Sequence, residues 1–191
     1  MRTPRRRGVA RALALVVVLA AAVGGFVWLR RPSIPLAGSA AHTQVVTAFY
    51  HGLAALEVGL LDDARDQFAR ATQLAPTEPA AWANLALAHL RRGDIESAGP
   101  AVERALILAP NRADVLLLAA RLESARGGIE ESVALLRRAT AADPTDLRAR
   151  FALVDELERA GQDAAGAEVL ELLDDLVTRA PTNLAVIVER G

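Results

Sequence analysis

Four glycines recur along the chain at a constant interval of 34 residues, and no other feature of the sequence limits the fold as strongly. They are Gly59, Gly93, Gly127 and Gly161. Three alanines and three prolines keep the same interval, namely Ala71, Ala105 and Ala139, and Pro76, Pro110 and Pro144. A fixed period of this length is typical of a solenoid, in which similar units stack on their neighbours. We therefore expect a repetitive fold that presents a binding surface, although the period does not identify what is bound.

Residues 79–112 show the pattern inside one unit. The first half carries an apolar stripe at helical spacing, formed by Trp82, Leu85, Leu87 and Leu90. Gly93 follows, and glycine readily adopts the left-handed conformation that ends a helix. Asp94 can cap the next helix, whose own stripe is formed by Ala98, Val102, Ala105 and Leu106. Each unit is thus predicted to be a helix, a tight turn, a second helix and a short loop.

This pattern resembles the tetratricopeptide repeat. Residues of the second unit that match it are Trp82, Leu85, Ala86, Gly93, Ala98, Val102, Ala105 and Pro110. Matches before it are Gly52, Gly59, Ala64, Phe68, Ala71 and Pro76, and matches after it are Ala120, Gly127, Ser132, Leu136, Ala139 and Pro144. Small residues at Gly52, Ala86 and Ala120 suit the crossing of the two helices of a pair, whereas the fourth unit has the bulky Val154 there. The resemblance covers about residues 45–191 and implies an all-α fold, an α-solenoid of about four helix-turn-helix repeats.

The repeat boundaries follow from the period. We place the repeat domain at residues 44–191, with repeats at about 45–78, 79–112, 113–146 and 147–183 and the start of a fifth at 184–191. Helices are predicted near 43–57, 61–74, 78–91, 95–108, 112–125, 129–142, 146–159 and 163–179. Thr77, Asn111 and Thr145 are expected to cap the first helix of the repeat that follows each of them. The last helix is expected to be longer because its proline comes three residues late, at Pro181.

The segment before the repeats has a different character. Residues 12–29 are uncharged and apolar, and as a helix they would span about 27 Å, enough for a bilayer core. Five arginines precede this stretch within residues 1–11, and two follow it. This bias predicts a single transmembrane helix that acts as a signal anchor, with residues 1–11 in the cytoplasm, a linker at 30–43 and the repeats on the extracytoplasmic, periplasmic side. A cleaved signal peptide with a secreted repeat domain is the alternative, since small residues at 37–41 could admit a peptidase.

Charge and composition narrow the possible partners. Residues 42–191 hold 15 arginines and 23 acidic residues, a net charge of −8 with neutral histidines, and the chain contains no lysine. An acidic repeat domain without a basic stripe argues against nucleic acid. The chain has no cysteine, so neither a disulfide framework nor a thiolate metal site is expected.

No arrangement typical of catalysis is evident. The three histidines, His42, His51 and His89, have no partner at metal-ligand spacing, and the isolated glycines mark turns rather than a phosphate-binding loop. Acid pairs at 62–63 and 130–131 suit the first turns of helices, and the pair at 174–175 is expected on an exposed face. We therefore expect a protein that is not an enzyme and has no cofactor, metal site or small-molecule substrate.

The resemblance implies a binding surface as well. In tetratricopeptide proteins the first helices of the repeats line a concave groove that binds peptides or proteins. The corresponding groove residues are Phe49, Leu53, Leu56, Ala83, Asn84, Leu87, Leu117, Arg121, Arg148, Phe151 and Asp155. Some relatives clamp a terminal carboxylate with lysine and asparagine, but of those positions only Asn84 matches.

These observations favour a membrane-anchored scaffold for protein–protein interaction. The resemblance to anchored bacterial repeat proteins suggests roles such as envelope complex assembly or cytochrome maturation. The alternative is that these repeats form the N-terminal portion of a longer multidomain protein whose activity lies downstream of Gly191.

Overall fold

The computed structural model describes residues 35–161 and 166–179, and within these ranges it consists of eight α-helices without any strand. The chain divides into two units, residues 1–33 and residues 34–191, and all eight helices belong to the second unit. The helices are α1 (Ala40–Glu57), α2 (Leu61–Leu74), α3 (Pro79–Arg91), α4 (Ile95–Leu108), α5 (Ala113–Arg126), α6 (Ile129–Ala142), α7 (Leu147–Ala160) and α8 (Gly166–Arg179).

The helices form four consecutive pairs. Each helix packs against the next one along the chain, as expected for a solenoid. The first helices of the pairs, α1, α3, α5 and α7, are called A helices below, and the second ones B helices. Each A helix also contacts the A helix of the next repeat, and the described B helices do not contact each other to the same extent. The A helices therefore lie on the inner, concave side of the stack.

The glycines of the 34-residue period lie in the turns between the helices of each pair. Gly93 has a φ of +78°, and the other three also have positive φ values. A residue with a Cβ atom would be strained in this conformation. Next to this turn, Asp94 is the N-cap of α4, and its Oδ1 accepts a hydrogen bond from the backbone N–H of Ser97 at 3.1 Å. The predicted turn and its cap are confirmed at this repeat.

The caps of the A helices α3, α5 and α7 differ from the prediction by one residue. The N-caps are Glu78, Arg112 and Asp146, rather than Thr77, Asn111 and Thr145. The carboxylates of Glu78 and Asp146 accept hydrogen bonds from the backbone N–H groups two residues later, whereas Arg112 makes no side-chain cap. The first helix also begins earlier than expected, at Ala40, so the last residues of the predicted linker at 30–43 are helical.

The helix crossings bury the small residues that the pattern singled out. Ala86 and Ala120 are buried, and so is Gly52 in the first repeat. The ring of Phe68 lies directly against Gly52, where an added Cβ would come within 2.7 Å of Cε1. Between the first two repeats, the indole N–H of Trp82 donates a hydrogen bond to the carbonyl oxygen of Pro76 at 2.9 Å. The large core cluster extends from α1 into α5.

The fourth repeat departs from this arrangement. Val154 fills its crossing site and is buried, while Leu170 of α8 is exposed. An ion pair between Arg150 and Asp175 joins α8 to α7, and the side chain of Arg150 is largely buried. Asp174 is exposed as expected, whereas Asp175 is only partly exposed, because its carboxylate contacts Arg150 and Arg179.

Several predictions fall on residues outside the described ranges. The predicted transmembrane helix at 12–29, the first residues of the predicted last helix at 163–165, Pro181 and the fifth repeat at 184–191 are among them. In residues 35–161 and 166–179, none of the helices combines the length and apolar character that a membrane span requires.

Candidate functional site

The concave side carries two adjoining depressions formed mainly by A helices of the second, third and fourth repeats. The smaller one, of about 160 Å³, lies between α3 and α5. The larger one, of about 1010 Å³, lies between α5, α6 and α7. Arg121 and Arg148 contribute to both. We call the two depressions together the groove.

Most of the predicted groove residues line this surface. Those of the smaller depression are Ala83, Asn84, Leu87, Leu117, Arg121 and Arg148. Phe151 and Asp155 line the larger one together with the two arginines. Leu117 is only 4% exposed, so it contributes mainly to packing.

The predicted residues of the first repeat are placed differently. Phe49 and Leu53 are partly buried against the core, and Leu56 is a core residue with 5% exposure. The ring of Phe49 packs edge-on against Phe68, with centroids 5.9 Å apart. The assignment of Leu56 to the binding surface is therefore corrected, and none of these three residues lines the two depressions.

Arg121 is the central charge of the groove. Throughout the part of the chain that the structure describes, its guanidinium has neither an ion pair nor a hydrogen bond. Burial of the guanidinium, and then repulsion from Arg148 and Arg91, lower the pKa of Arg121. The side chain nevertheless remains protonated at neutral pH, because an arginine pKa lies far above 7. The middle of the groove thus has a positive charge without a hydrogen-bonded or ion-paired partner among the described residues, and Asp146 attracts it only at longer range.

Arg148 differs from Arg121 because it has its own partner. Its Nε and Nη2 atoms donate to the two carboxylate oxygens of Asp146 at 3.0 and 2.8 Å. This hydrogen bonding raises the pKa of Arg148 and lowers that of Asp146. Asp146 therefore offsets part of the charge of Arg148, whereas Arg121 has no such directly bonded partner in the described part of the chain.

The C-terminal end of the groove is acidic. Asp155 and Glu158 follow Phe151 on the same face of α7, at helical spacing. Both are exposed, and neither has an ion-pair partner in residues 35–161 and 166–179. The groove is therefore mostly apolar in the second repeat, carries Arg121 and the Arg112-paired Asp114 in the third, and ends on carboxylates in the fourth.

The predicted groove residues omit several that line this site, among them a buried carboxylate. Glu156 of α7 lies at the bottom of the larger depression and is only 5% exposed. The signal was present in the period, because Glu156 stands 34 residues after Leu122 and 68 after Ala88, both of which are buried. A charged residue in a register that is otherwise apolar marks a difference between the repeats.

One of the three histidines, His89, has a side-chain contact with a carboxylate. Nδ1 of His89 lies 3.1 Å from Oδ2 of Asp94, beside the turn of the second repeat. No cluster of three or more histidine, cysteine or acidic side chains suited to a metal ion occurs among the described residues.

The stacked helix pairs, the glycine turns and the concave groove define a helical-repeat solenoid of the kind that binds ligands on its inner face. Sequence profiles identify it further. Two models described as "Tetratricopeptide repeat" match residues 51–113 and 90–157, which together span most of the described helices. The chain belongs to the tetratricopeptide repeat family.

Solved structures show the same fold at low sequence identity. MamA superposes with a TM-score of 0.64 at 21% identity, covering 72% of this chain and 81% of that one. An O-GlcNAc transferase variant from Thermobaculum terrenum gives 0.60 at 24%, covering 62% of this chain and 23% of that one. The first tetratricopeptide domain of Spaghetti (RPAP3), bound to an HSP90 peptide, gives 0.58 at 18%, covering 63% of this chain and 95% of that one. No curated protein sequence matches the chain.

Proposed function

We propose that this protein is a non-enzymatic scaffold whose groove binds a peptide segment of a protein partner. The observation that carries the proposal is the unpaired guanidinium of Arg121 in a concave surface beside the partly buried ring of Phe151. Arg121 is exposed to solvent and unpaired among the described residues, and its guanidinium is partly desolvated by the groove, so an acidic group of a ligand can pair with it through charge-assisted hydrogen bonds. Phe151 and Leu87 offer apolar surface on either side.

The fold comparison supports a peptide as the ligand. The RPAP3 domain is described as bound to an HSP90 peptide, and a second RPAP3 domain as bound to an HSP70 peptide. This chain lacks lysine, so its own anionic contact would be made by arginine, which can bind a carboxylate through two parallel hydrogen bonds.

The test is a peptide selection followed by quantitative binding. The full chain, purified in detergent micelles, is used to select nonapeptides from a random displayed library, and the enriched peptides are labelled and titrated by fluorescence anisotropy. We expect Arg121→Gln and Phe151→Ala each to weaken binding about tenfold. Arg104→Gln on α4 is the matched control, because it removes an arginine outside the groove. Leu117 is a poor probe, since its burial would make a substitution unfold the repeat.

A lack of enrichment would argue against a peptide-binding groove. Enriched peptides that bind the Arg121 and Phe151 variants as well as wild type would place the site elsewhere on the domain. Helical circular dichroism and the melting temperature of each variant must match the wild type before its binding is compared.

We also propose that residues 12–29 anchor the protein in a membrane with the repeats on the extracytoplasmic side, where a scaffold could act in envelope complex assembly or cytochrome maturation. The support is the uncharged stretch and the five arginines before it, against two after it. A reporter that is active only outside the cytoplasm, fused after Gly191, should be active and remain with the membrane fraction. Activity in the soluble periplasmic fraction, with a shortened N-terminus, would instead indicate a cleaved signal peptide.

A further inference from the structure

Two buried polar side chains lie at the bottom of the larger depression, where the equivalent positions of other repeats are apolar. Ser132 of α6 is 1% exposed and stands in the register of Ala64 and Ala98. Glu156 of α7 stands in the register of Ala88 and Leu122. Both line the depression between α5, α6 and α7. The third and fourth repeats thus enclose hydrogen-bonding groups that a simple packing interface does not need.

These groups are only partly satisfied. Oε2 of Glu156 accepts hydrogen bonds from the hydroxyl of Ser124 at 3.0 Å and from Nη1 of Arg159 at 3.3 Å. Its other oxygen, Oε1, and the hydroxyl of Ser132 have no hydrogen-bond partner within the described residues. Buried polar groups are rarely left in this state, so the pair indicates a place where a donor can bind.

The chain itself shows which kind of donor suits this place. A single guanidinium nitrogen of Arg159, Nη1, donates to Ser124 as well as to Glu156, at 2.9 and 3.3 Å. The side chain of Arg159 is 60% exposed, whereas that of Glu156 is 7% exposed. The guanidinium therefore covers the carboxylate from the solvent side and is held by few contacts. Another cationic group arriving from the groove can take its place.

The rim around this position strengthens the preference for a cation. Asp155 and Glu158 lie on the same helix, both are exposed, and neither is paired in the part of the chain that is described. With Glu156 they place three carboxylates around one end of the groove. Arg159 balances only one of them.

We propose that this depression binds a basic side chain, arginine or lysine, of the partner peptide, which replaces Arg159 over Glu156 between Asp155 and Glu158. The inference rests on the proposed function and refines it, because Arg121 would take an acidic group of the same peptide. Arg121 and Asp155 occupy equivalent places in consecutive repeats. Neighbouring helix axes lie about 8–10 Å apart, a distance that about three residues of an extended peptide span. The partner segment therefore carries an acidic and a basic residue about three positions apart, in a fixed order.

The test uses the peptides selected on the full chain and compares two substitutions of opposite expected effect. Glu156→Gln should weaken binding of a selected peptide at least about tenfold, because it removes the buried charge that the basic residue faces. Arg159→Gln should strengthen binding several-fold, because it removes the competing guanidinium. Glu130→Gln on α6 is the control, as an acidic residue outside the depression. The same peptide with its basic residue replaced by glutamine should bind weakly and respond to neither substitution.

The results separate this inference from the function on which it rests. The basic subsite would be contradicted if the selected peptides require Arg121 but contain no basic residue. It would also be contradicted if their binding is unchanged in Glu156→Gln and Arg159→Gln. In both cases the proposed peptide-binding groove would still be supported. Weaker binding in Arg159→Gln would also overturn it, since Arg159 would then be a ligand contact or a structural support. If Glu156→Gln lowers the melting temperature strongly, the Arg159 variant and the glutamine-substituted peptide decide the outcome. If no peptide is enriched, or if Arg121→Gln does not change peptide binding, both the peptide-binding groove and the basic subsite are contradicted.

Discussion

Gly52 and Phe68 fit together so closely that a single methyl group at residue 52 would lie 2.7 Å from Cε1 of the phenylalanine ring. At the same crossing, each of the next two repeats has a larger residue in place of Gly52 and a smaller side chain in place of Phe68. Ala86 and Ala120 stand in the register of Gly52, and Val102 and Leu136 stand in the register of Phe68. The first repeat thus combines the smallest residue with the largest side chain at this crossing.

This complementarity predicts a coupled effect on stability. Gly52→Ala should lower the free energy of unfolding by about 1–3 kcal/mol, because the ring of Phe68 is fully buried and cannot move away. Phe68→Leu should also destabilise, since it leaves space beside Gly52. The double variant should lose less than the sum of the two, with a coupling of at least about 0.5 kcal/mol, as measured by urea denaturation. Simple additivity would show that the crossing can relax without this contact.

Gly99 provides a matched control for the same substitution. A Cβ at Gly99 would also lie 2.7 Å from a neighbour, but that atom is Nη2 of Arg126, the end of a flexible and partly exposed side chain. Gly99→Ala should therefore cost less than Gly52→Ala, because the end of the Arg126 side chain can move; any gain in helix propensity is opposed by Pro100, which disfavours a helical residue with a Cβ directly before it. A large loss of stability would mean that Arg126 is held more firmly than its exposure suggests.

The repeat architecture could be predicted because it depends on a period, and the site could be predicted only in part. The helix limits agree with the prediction to within one residue for α2 to α7, since Gly93 and its equivalents fix the turns. The placement of Phe49 depends on how Gly52 admits Phe68, which no local pattern specifies. Glu156 was not predicted as a site residue because glutamate is normally exposed, and the burial of its side chain depends on the neighbouring repeat.

The link between the last two helices can be tested at Asp175. Its carboxylate pairs with the largely buried Arg150 of α7 and with Arg179 of α8. Asp175→Asn should lower the free energy of unfolding by about 1–2 kcal/mol, because Arg150 loses its charged partner. It should also speed amide hydrogen exchange in α8. The adjacent Asp174→Asn is the control, as the Asp174 side chain has no ion pair among the described residues, and equal effects of the two would contradict this role of Asp175.

The pair between Glu168 and Arg137 predicts part of the pH dependence of stability. Two hydrogen bonds at 3.0 and 2.6 Å join α8 to α6 and lower the pKa of Glu168. The contribution of this ion pair to the free energy of unfolding is complete above the unfolded glutamate pKa of about 4.3. It is lost as the pH falls through the lower pKa of Glu168 in the folded protein. Glu168→Gln should therefore cost about 0.5 kcal/mol at pH 7, and this cost should shrink as the pH falls below the unfolded glutamate pKa, in parallel urea titrations. Glu171→Gln, without a resolved partner in the described helices, should show no such difference, and a pH-independent loss in Glu168→Gln would point to packing instead.

The N-cap of α7 can be tested at Asp146. Asp146 accepts a hydrogen bond from the backbone N–H of Arg148 at 2.9 Å, so Asp146→Ala should destabilise the domain by about 1 kcal/mol. Asp146→Ser should recover most of this loss, because a hydroxyl can still cap α7 although it cannot pair with the guanidinium of Arg148. Asn111→Ala should change stability by less than about 0.5 kcal/mol, since Asn111 lies outside α5 and is not its cap. If thermal unfolding instead shows that Asn111→Ala destabilises the domain as much as Asp146→Ala, α5 begins one residue earlier in solution. Asn111 would then be its N-cap, as the 34-residue period predicts.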